Sequence, residues 1–89
     1  MTPFYNNAED GETVALQVIG WIVSDARRSE RFLTLTGLDA DQIRWGLQEP
    51  AILGAAMDYL LGHEQDLLAC AEAIEVPPQA IAVARQAIG

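Results

Sequence analysis

The sequence predicts an all-α protein, a compact bundle of five or six short helices. Three observations carry that prediction. Apolar residues recur at helical spacing along most of the 89 residues, and no window alternates convincingly as a strand. Capping residues precede the apolar runs, and Gly or Pro follows them. The two halves of the chain can also be laid over each other, which points to a repeated helical unit.

The elements follow in order. Residues 1–10, "MTPFYNNAED", have no helical stripe and predict a flexible N-terminal arm ahead of a single helical domain over 11–89. "ETVALQVIGWIVS", residues 12–24, is apolar on nearly every side: Val14, Val18, Trp21 and Ile22 form one stripe, Leu16, Ile19 and Val23 another. A helix apolar all round is usually central. Gly20 within it costs about 1 kcal/mol relative to Ala, and close approach by another helix is the expected return. Ser29 or Asp25 caps a second helix that runs to about Leu35 and stops at a left-handed Gly37. Asp39 caps a short third helix, "ADQIRWGLQ", presenting Ile43 and Leu47 on one face. Pro50 suits the first turn of the fourth, "PAILGAAMDYLLG". "EQDLLACAEAIE" makes a fifth that ends before Val76, and "PQAIAVARQAI" a sixth after the break at Pro77 and Pro78.

In the overlay, Val14 matches Ile52, Val18 matches Ala56, Trp21 matches Tyr59, and Ile22-Val23 matches Leu60-Leu61, all at an offset of 38. Phe32-Leu33 matches Leu67-Leu68 at 35, and Leu38 with Val76 and Ile43 with Ile81 return to 38. A degenerate duplication of a three-helix unit explains this; chance similarity between amphipathic segments is the alternative.

Composition narrows the function. An apolar fraction of 51% supports a core rather than disorder. The net charge of −8, with five arginines and no lysine, repels phosphate backbones and anionic lipid heads. The single Cys70 makes no internal disulfide, no signal peptide opens the chain, and no apolar run approaches the roughly 20 residues that span a bilayer. The expectation is a soluble, cytoplasmic protein without a membrane partner and with no cofactor.

Two stretches have the grammar of a helix-turn-helix DNA reader, residues 34–48 and 70–86. Their chemistry is wrong for it. Base edges and phosphates call for Arg, Lys, Asn and Gln at the recognition helix's N-terminal end, whereas the first copy opens on Asp39 and Asp41. Both read as packing corners, so nucleic acid is not the expected partner.

Arg27, Arg28 and Arg31 form the main basic cluster, and Arg27 and Arg31, one turn apart, can grip a carboxylate or phosphate. Pairing with neighbouring Asp25 and Glu30 is the competing role. His63 and Asp66, three apart, can share a face, but two ligands are too few for a closed zinc site; Cys70 adds a third on a similar face only if the helix is continuous, which Gly62 argues against, so His63 and Glu64 read as a solvated helix start. Neither Ser24 nor Ser29 lies in a nucleophile elbow, no phosphate loop is present, and Cys70 sits among small apolar residues, so no enzyme is expected. Trp21 and Tyr59 are expected to fill the core. Trp45, next to Arg44, either folds back on the core or stands out as an interface residue.

The run "WIVSD…RFLTLTGLDADQIR", followed by "PAIL…MDYLLGHEQDLLACAEAIEVPPQAI", resembles a small bacterial family, domain of unknown function 3572. The resemblance covers residue 12 to the C-terminus. Its most specific parts are the "RFL-x-LTGLD" turn and the "DYLL-x-x-E-x-LL" helix, while "ARRSER" is an insertion relative to the second half. It implies a helical fold and carries no catalytic residues across. The resulting expectation is a non-enzymatic interaction module, self-associating or binding another protein, with Trp45, Arg44, Arg27, Arg28 and Arg31 as candidate partner contacts. The second reading is a helix-turn-helix-like accessory regulator that touches nucleic acid or a DNA-bound partner. Convergence of the arginines on one face favours the second; pairing with carboxylates favours the first.

Overall fold

The computed structural model describes residues 8–88, so most of the arm expected at residues 1–10 lies outside the described residues. Within them the chain forms α1 (Ala8–Val23), α2 (Ala26–Thr36), α3 (Ala40–Trp45), α4 (Pro50–Leu61), α5 (Glu64–Ala73) and α6 (Pro78–Ala87), with no strand. Helix α1 therefore begins three residues before the domain edge read from the sequence. Among the described residues no single helix is long and apolar enough to cross a membrane.

Local chemistry sets the boundaries. Asp25, not Ser29, caps α2: its carboxylate accepts the backbone N–H of Arg27 at 2.9 Å and of Arg28 at 3.3 Å. Gly37 ends α2 in the left-handed region, φ 76°, and donates its N–H to the Leu33 carbonyl at 2.9 Å. Asp39 and Gln42 form a reciprocal capping box on α3, with bonds of 2.8 and 2.9 Å. Pro50 opens α4, as its fixed φ and missing N–H suit. Helix α3 is shorter than the sequence pattern implies. At Gly46 the chain bends over α4, where a Cβ would stand 2.8 Å from Ile52. Ile43 is thus buried, while Leu47 leaves the helix and is 37% exposed.

Helices α1 and α4 pack together at the centre, and α2 and α5 each lean on both. Helix α6 fills the space against α1 and α4, whereas α3 makes no extended interface with another helix. Val14, Val18, Ile22, Phe32, Leu53, Met57, Leu60 and Ile81 fill the core, each nearly inaccessible to solvent. The close approach expected at Gly20 is not there: a Cβ at Gly20 would meet nothing within 4 Å. It occurs at Gly11 instead, where a Cβ would lie 3.0 Å from the Ala84 carbonyl of α6. The reason is orientation, since Gly20 lies on the solvent side of α1 and Gly11 on its α6 side.

Burial follows the overlay at some positions and departs from it at others, Phe32 being buried where Leu67 is half-buried and Trp21 half-buried where Tyr59 is buried. The matched pairs Val14/Ile52, Val18/Ala56, Ile22/Leu60 and Ile43/Ile81 are all buried, and Val23/Leu61 are both exposed. Glu75 is the one non-glycine with positive φ among the described residues, at 61°, and it stands 38 positions after Gly37. The bonds at the two ends differ: Val76 donates its N–H to the Ala71 carbonyl at 2.9 Å, whereas its counterpart Leu38 donates to the Thr36 hydroxyl at 3.3 Å. Packing is reciprocal as well: α2 touches α4 as α5 touches α1. The halves diverge at their third helices, with α6 in the core and α3 at its edge.

Candidate functional site

A cluster of polar side chains lies where α2 meets the ends of α1 and α4 and the start of α5. Arg28 lies over the Trp21 ring, 3.6 Å from its centroid, and donates Nε–H to the Trp21 carbonyl at 3.2 Å. Asp25 pairs with it at 3.5 Å. Trp21 is consequently half-buried, with part of its cover supplied by a guanidinium rather than by the core as expected. In the other half, His63 stacks on Tyr59 at 4.6 Å between centroids, and its Nδ1 contacts the Tyr59 carbonyl at 2.6 Å. A carbonyl only accepts, so Nδ1 carries the proton. Phe32 meets the same ring edge-on at 5.3 Å.

Between these two stacks, Arg31 donates Nε–H to the Tyr59 hydroxyl at 3.0 Å and pairs through Nη2 with Asp66. The Tyr59 hydroxyl donates to Asp66 at 2.8 Å. Burial and the bond to Asp66 raise the Tyr59 pKa. Burial pushes Asp66 up, but the bonds from Tyr59 and Arg31 outweigh it and leave the carboxyl below its usual range. The Arg31 guanidinium is held charged by Tyr59 and then by Asp66. Arg28 and His63 are 35 positions apart, and so are Arg31 and Asp66. Arg28 and His63 thus each cover the aromatic ring of their own half, and Arg31 and Asp66 pair between α2 and α5.

Arg27, Arg28 and Arg31 border one shallow groove of about 260 Å³ with Trp21, Asp66 and Ala69. Convergence is partial. Arg28 and Arg31 are committed to Asp25 and Asp66, and Arg44 does not line the groove but pairs with Asp41 at 3.8 Å on α3. Only the Arg27 guanidinium has no ion pair among the described residues, which leaves a nucleic-acid reading one free cation. The sixth helix, offered by the second helix-turn-helix match, has its Arg85 bound to Asp58 at 2.9 Å.

Other sequence candidates are dispersed. His63 precedes α5 and is turned toward Tyr59, while Cys70 is fully buried, its thiol pushed by burial up to about 11. No group of three metal-ligating side chains occurs among the described residues. Trp45 is 80% exposed, resolving the two alternatives in favour of an outward ring. Asp66 and Tyr59 are the residues that sequence reasoning missed as polar partners of the arginine cluster. The signal was the 35-residue offset already visible at Phe32 and Leu67.

Fold and surface define a small all-helical domain in which charged side chains join two similar halves and one tryptophan stands in solvent. The family model for "protein of unknown function (DUF3572)" matches residues 8–89, and the chain belongs to that family. No curated protein and no solved structure matches the chain.

Proposed function

We propose that the protein is a non-enzymatic, soluble cytoplasmic interaction module that docks a partner protein through Trp45. The observation that carries the reading is the 80% exposure of Trp45 at the end of α3. The Asp39–Gln42 capping box holds the N-terminus of α3, and buried Ile43 anchors its inner face, so Trp45 is turned away from the core. An exposed tryptophan offers large apolar area at low entropic cost, because it has only two side-chain torsions to fix, and tryptophan is enriched at interface hot spots. Asp39, Asp41 and Glu49 flank it against one arginine, Arg44, so the fitting partner carries an apolar socket with a basic rim. The single cysteine is buried in the core, which supports a binding role over thiol catalysis.

The test is capture from nuclease-treated native lysate with wild-type and Trp45→Ser baits. A near-stoichiometric partner bound by wild type and lost with W45S supports the reading. A hot-spot tryptophan is worth at least about 2 kcal/mol, so affinity for that partner falls about 30-fold or more. A capture that is empty, or unchanged by W45S, overturns it.

A further inference from the structure

Arg27, Arg31 and Thr34 fall on one face of α2, four and then three residues apart, and border an open trough of about 400 Å³ together with Glu30 and Leu35. All three keep donors unused. Among the described residues Arg27 has no ion pair and the Thr34 hydroxyl no hydrogen bond. Arg31 is bound along one edge of its guanidinium, where Nε donates to the Tyr59 hydroxyl and Nη2 pairs with Asp66. Its Nη1 makes no bond among the described residues, and the side chain is 54% exposed. Asp66 is engaged in turn by the Tyr59 hydroxyl at 2.8 Å. Arg31 is therefore held from behind with its outer end open, so folding has already restricted the freedom that a ligand would otherwise have to remove.

We infer that this trough binds the phosphate group of a small phosphate monoester. The outer end of Arg31 takes one or two phosphate oxygens, and Arg27, one turn or about 6 Å along the helix, takes another. Thr34 adds a neutral donor. A carboxylate has two oxygens, which a single guanidinium fork exhausts, whereas a phosphate monoester has three to share between two arginines. Leu35, 56% exposed beside these donors, offers the organic part of the ester an apolar surface. Charge sets the size of the ligand. The net −8 of the chain repels a polyanion, whose phosphates extend past the trough. A single phosphate group lies within the screening length of about 8 Å from both guanidiniums and responds to them first. Its local opponents are Asp66, already bound by Arg31 and Tyr59, and Glu30, which has no ion pair among the described residues. The trough lies on α2 and makes no use of Trp45.

NMR shifts of backbone amides and arginine side chains in the full chain test it, followed at constant ionic strength as chloride is replaced by phenyl phosphate or by inorganic phosphate. Wild type is expected to show saturable shifts on α2, with a dissociation constant of about 1 mM or tighter for phenyl phosphate. Inorganic phosphate, which has no organic part to lay on Leu35, is expected to bind more weakly. Arg27→Gln is expected to weaken phenyl phosphate binding about tenfold, the scale of a lost charge-assisted bond. Glu30→Gln is expected to strengthen it several-fold. Both side chains are exposed and without an ion pair among the described residues, so the melting temperature is expected to hold in each variant. W45S is expected to bind phenyl phosphate like wild type, which keeps this result separate from the partner-docking test. Shifts that do not saturate, an R27Q chain that titrates like wild type, an E30Q chain that binds no tighter, or inorganic phosphate binding as tightly as phenyl phosphate overturns the inference.

Discussion

Replacing Glu75 with Gly stabilises the protein, and replacing Gly37 with Ala destabilises it. Both residues occupy the left-handed region, with φ of 61° and 76°. A side chain there costs roughly 1–2 kcal/mol, because Cβ crowds the following carbonyl. Removing Cβ from Glu75 recovers that strain, but it also frees the unfolded chain at a cost of about 0.4–1 kcal/mol. The difference is a net gain of about 0.7 kcal/mol, or about 3–6 °C in melting temperature for a domain of this size. E75G also removes one carboxylate from a chain of net −8, which acts in the same direction. Glu75→Gln isolates that contribution, because it drops the charge and keeps the strain. Urea denaturation of the three variants, read as midpoints at constant slope, gives the comparison. The reasoning fails if E75G is no more stable than E75Q, since the conformational strain would then be absent. G37A is expected to lose a similar amount, about 0.7 kcal/mol, because nothing crowds its Cβ and the same strain is offset by the stiffer unfolded chain.

Two further outcomes follow from the junction of the halves. Tyr59→Phe keeps the ring against Phe32 and His63 but removes the hydroxyl between Arg31 and Asp66, and is expected to cost about 1 kcal/mol in the same denaturation assay. Cys70, fully buried with its thiol raised to about 11, is expected to resist a maleimide at pH 8 in the native state and to react once urea unfolds the chain.

The helix boundaries were legible because their causes are local. Asp39 with Gln42, Gly37 after Leu35, and Pro50 ahead of an apolar run each act within a few residues. The buried face of α1 was legible from its periodicity, but its open side was not, because a helix apolar all round gives no indication of which side lacks a neighbour. Gly20 illustrates the difficulty: the same residue serves a tight internal crossing or an empty surface, and only the path of α6 distinguishes them. The Arg31–Tyr59–Asp66 cluster was hidden for a related reason. Arg31 had nearer carboxylates in sequence at Asp25 and Glu30, and its choice of Asp66 depends on how α2 lies against α5. The exposure of Trp45 was undecided until the chain bent at Gly46 and cut the Ile43–Leu47 stripe short.

The divergence of α3 from α6 suggests why the exposed tryptophan lies where it does, and it can be measured. Ile43 and Ile81 hold matching positions and are both buried, yet their surroundings differ. Ile81 is inaccessible in a helix packed on α1 and α4, whereas Ile43 is 7% exposed in a helix without an extended interface. Truncation of a buried isoleucine to Ala costs about 2–5 kcal/mol, and the cost grows with the cavity that the surroundings cannot close. Ile81→Ala is expected near the top of that range, where it consumes much of the stability of so short a chain. Ile43→Ala is expected near the bottom, because α3 can settle over the gap. Hydrogen exchange adds a local readout: amides of α3 should open at lower free energy than those of α6, and I43A should speed exchange in α3 while leaving α1 and α4 protected. Equal costs for the two variants would mean that α3 is as integral to the core as α6. A helix that the core can spare can carry a large outward side chain at little cost to folding, and Trp45 stands 38 positions before Val83, its half-exposed counterpart on α6.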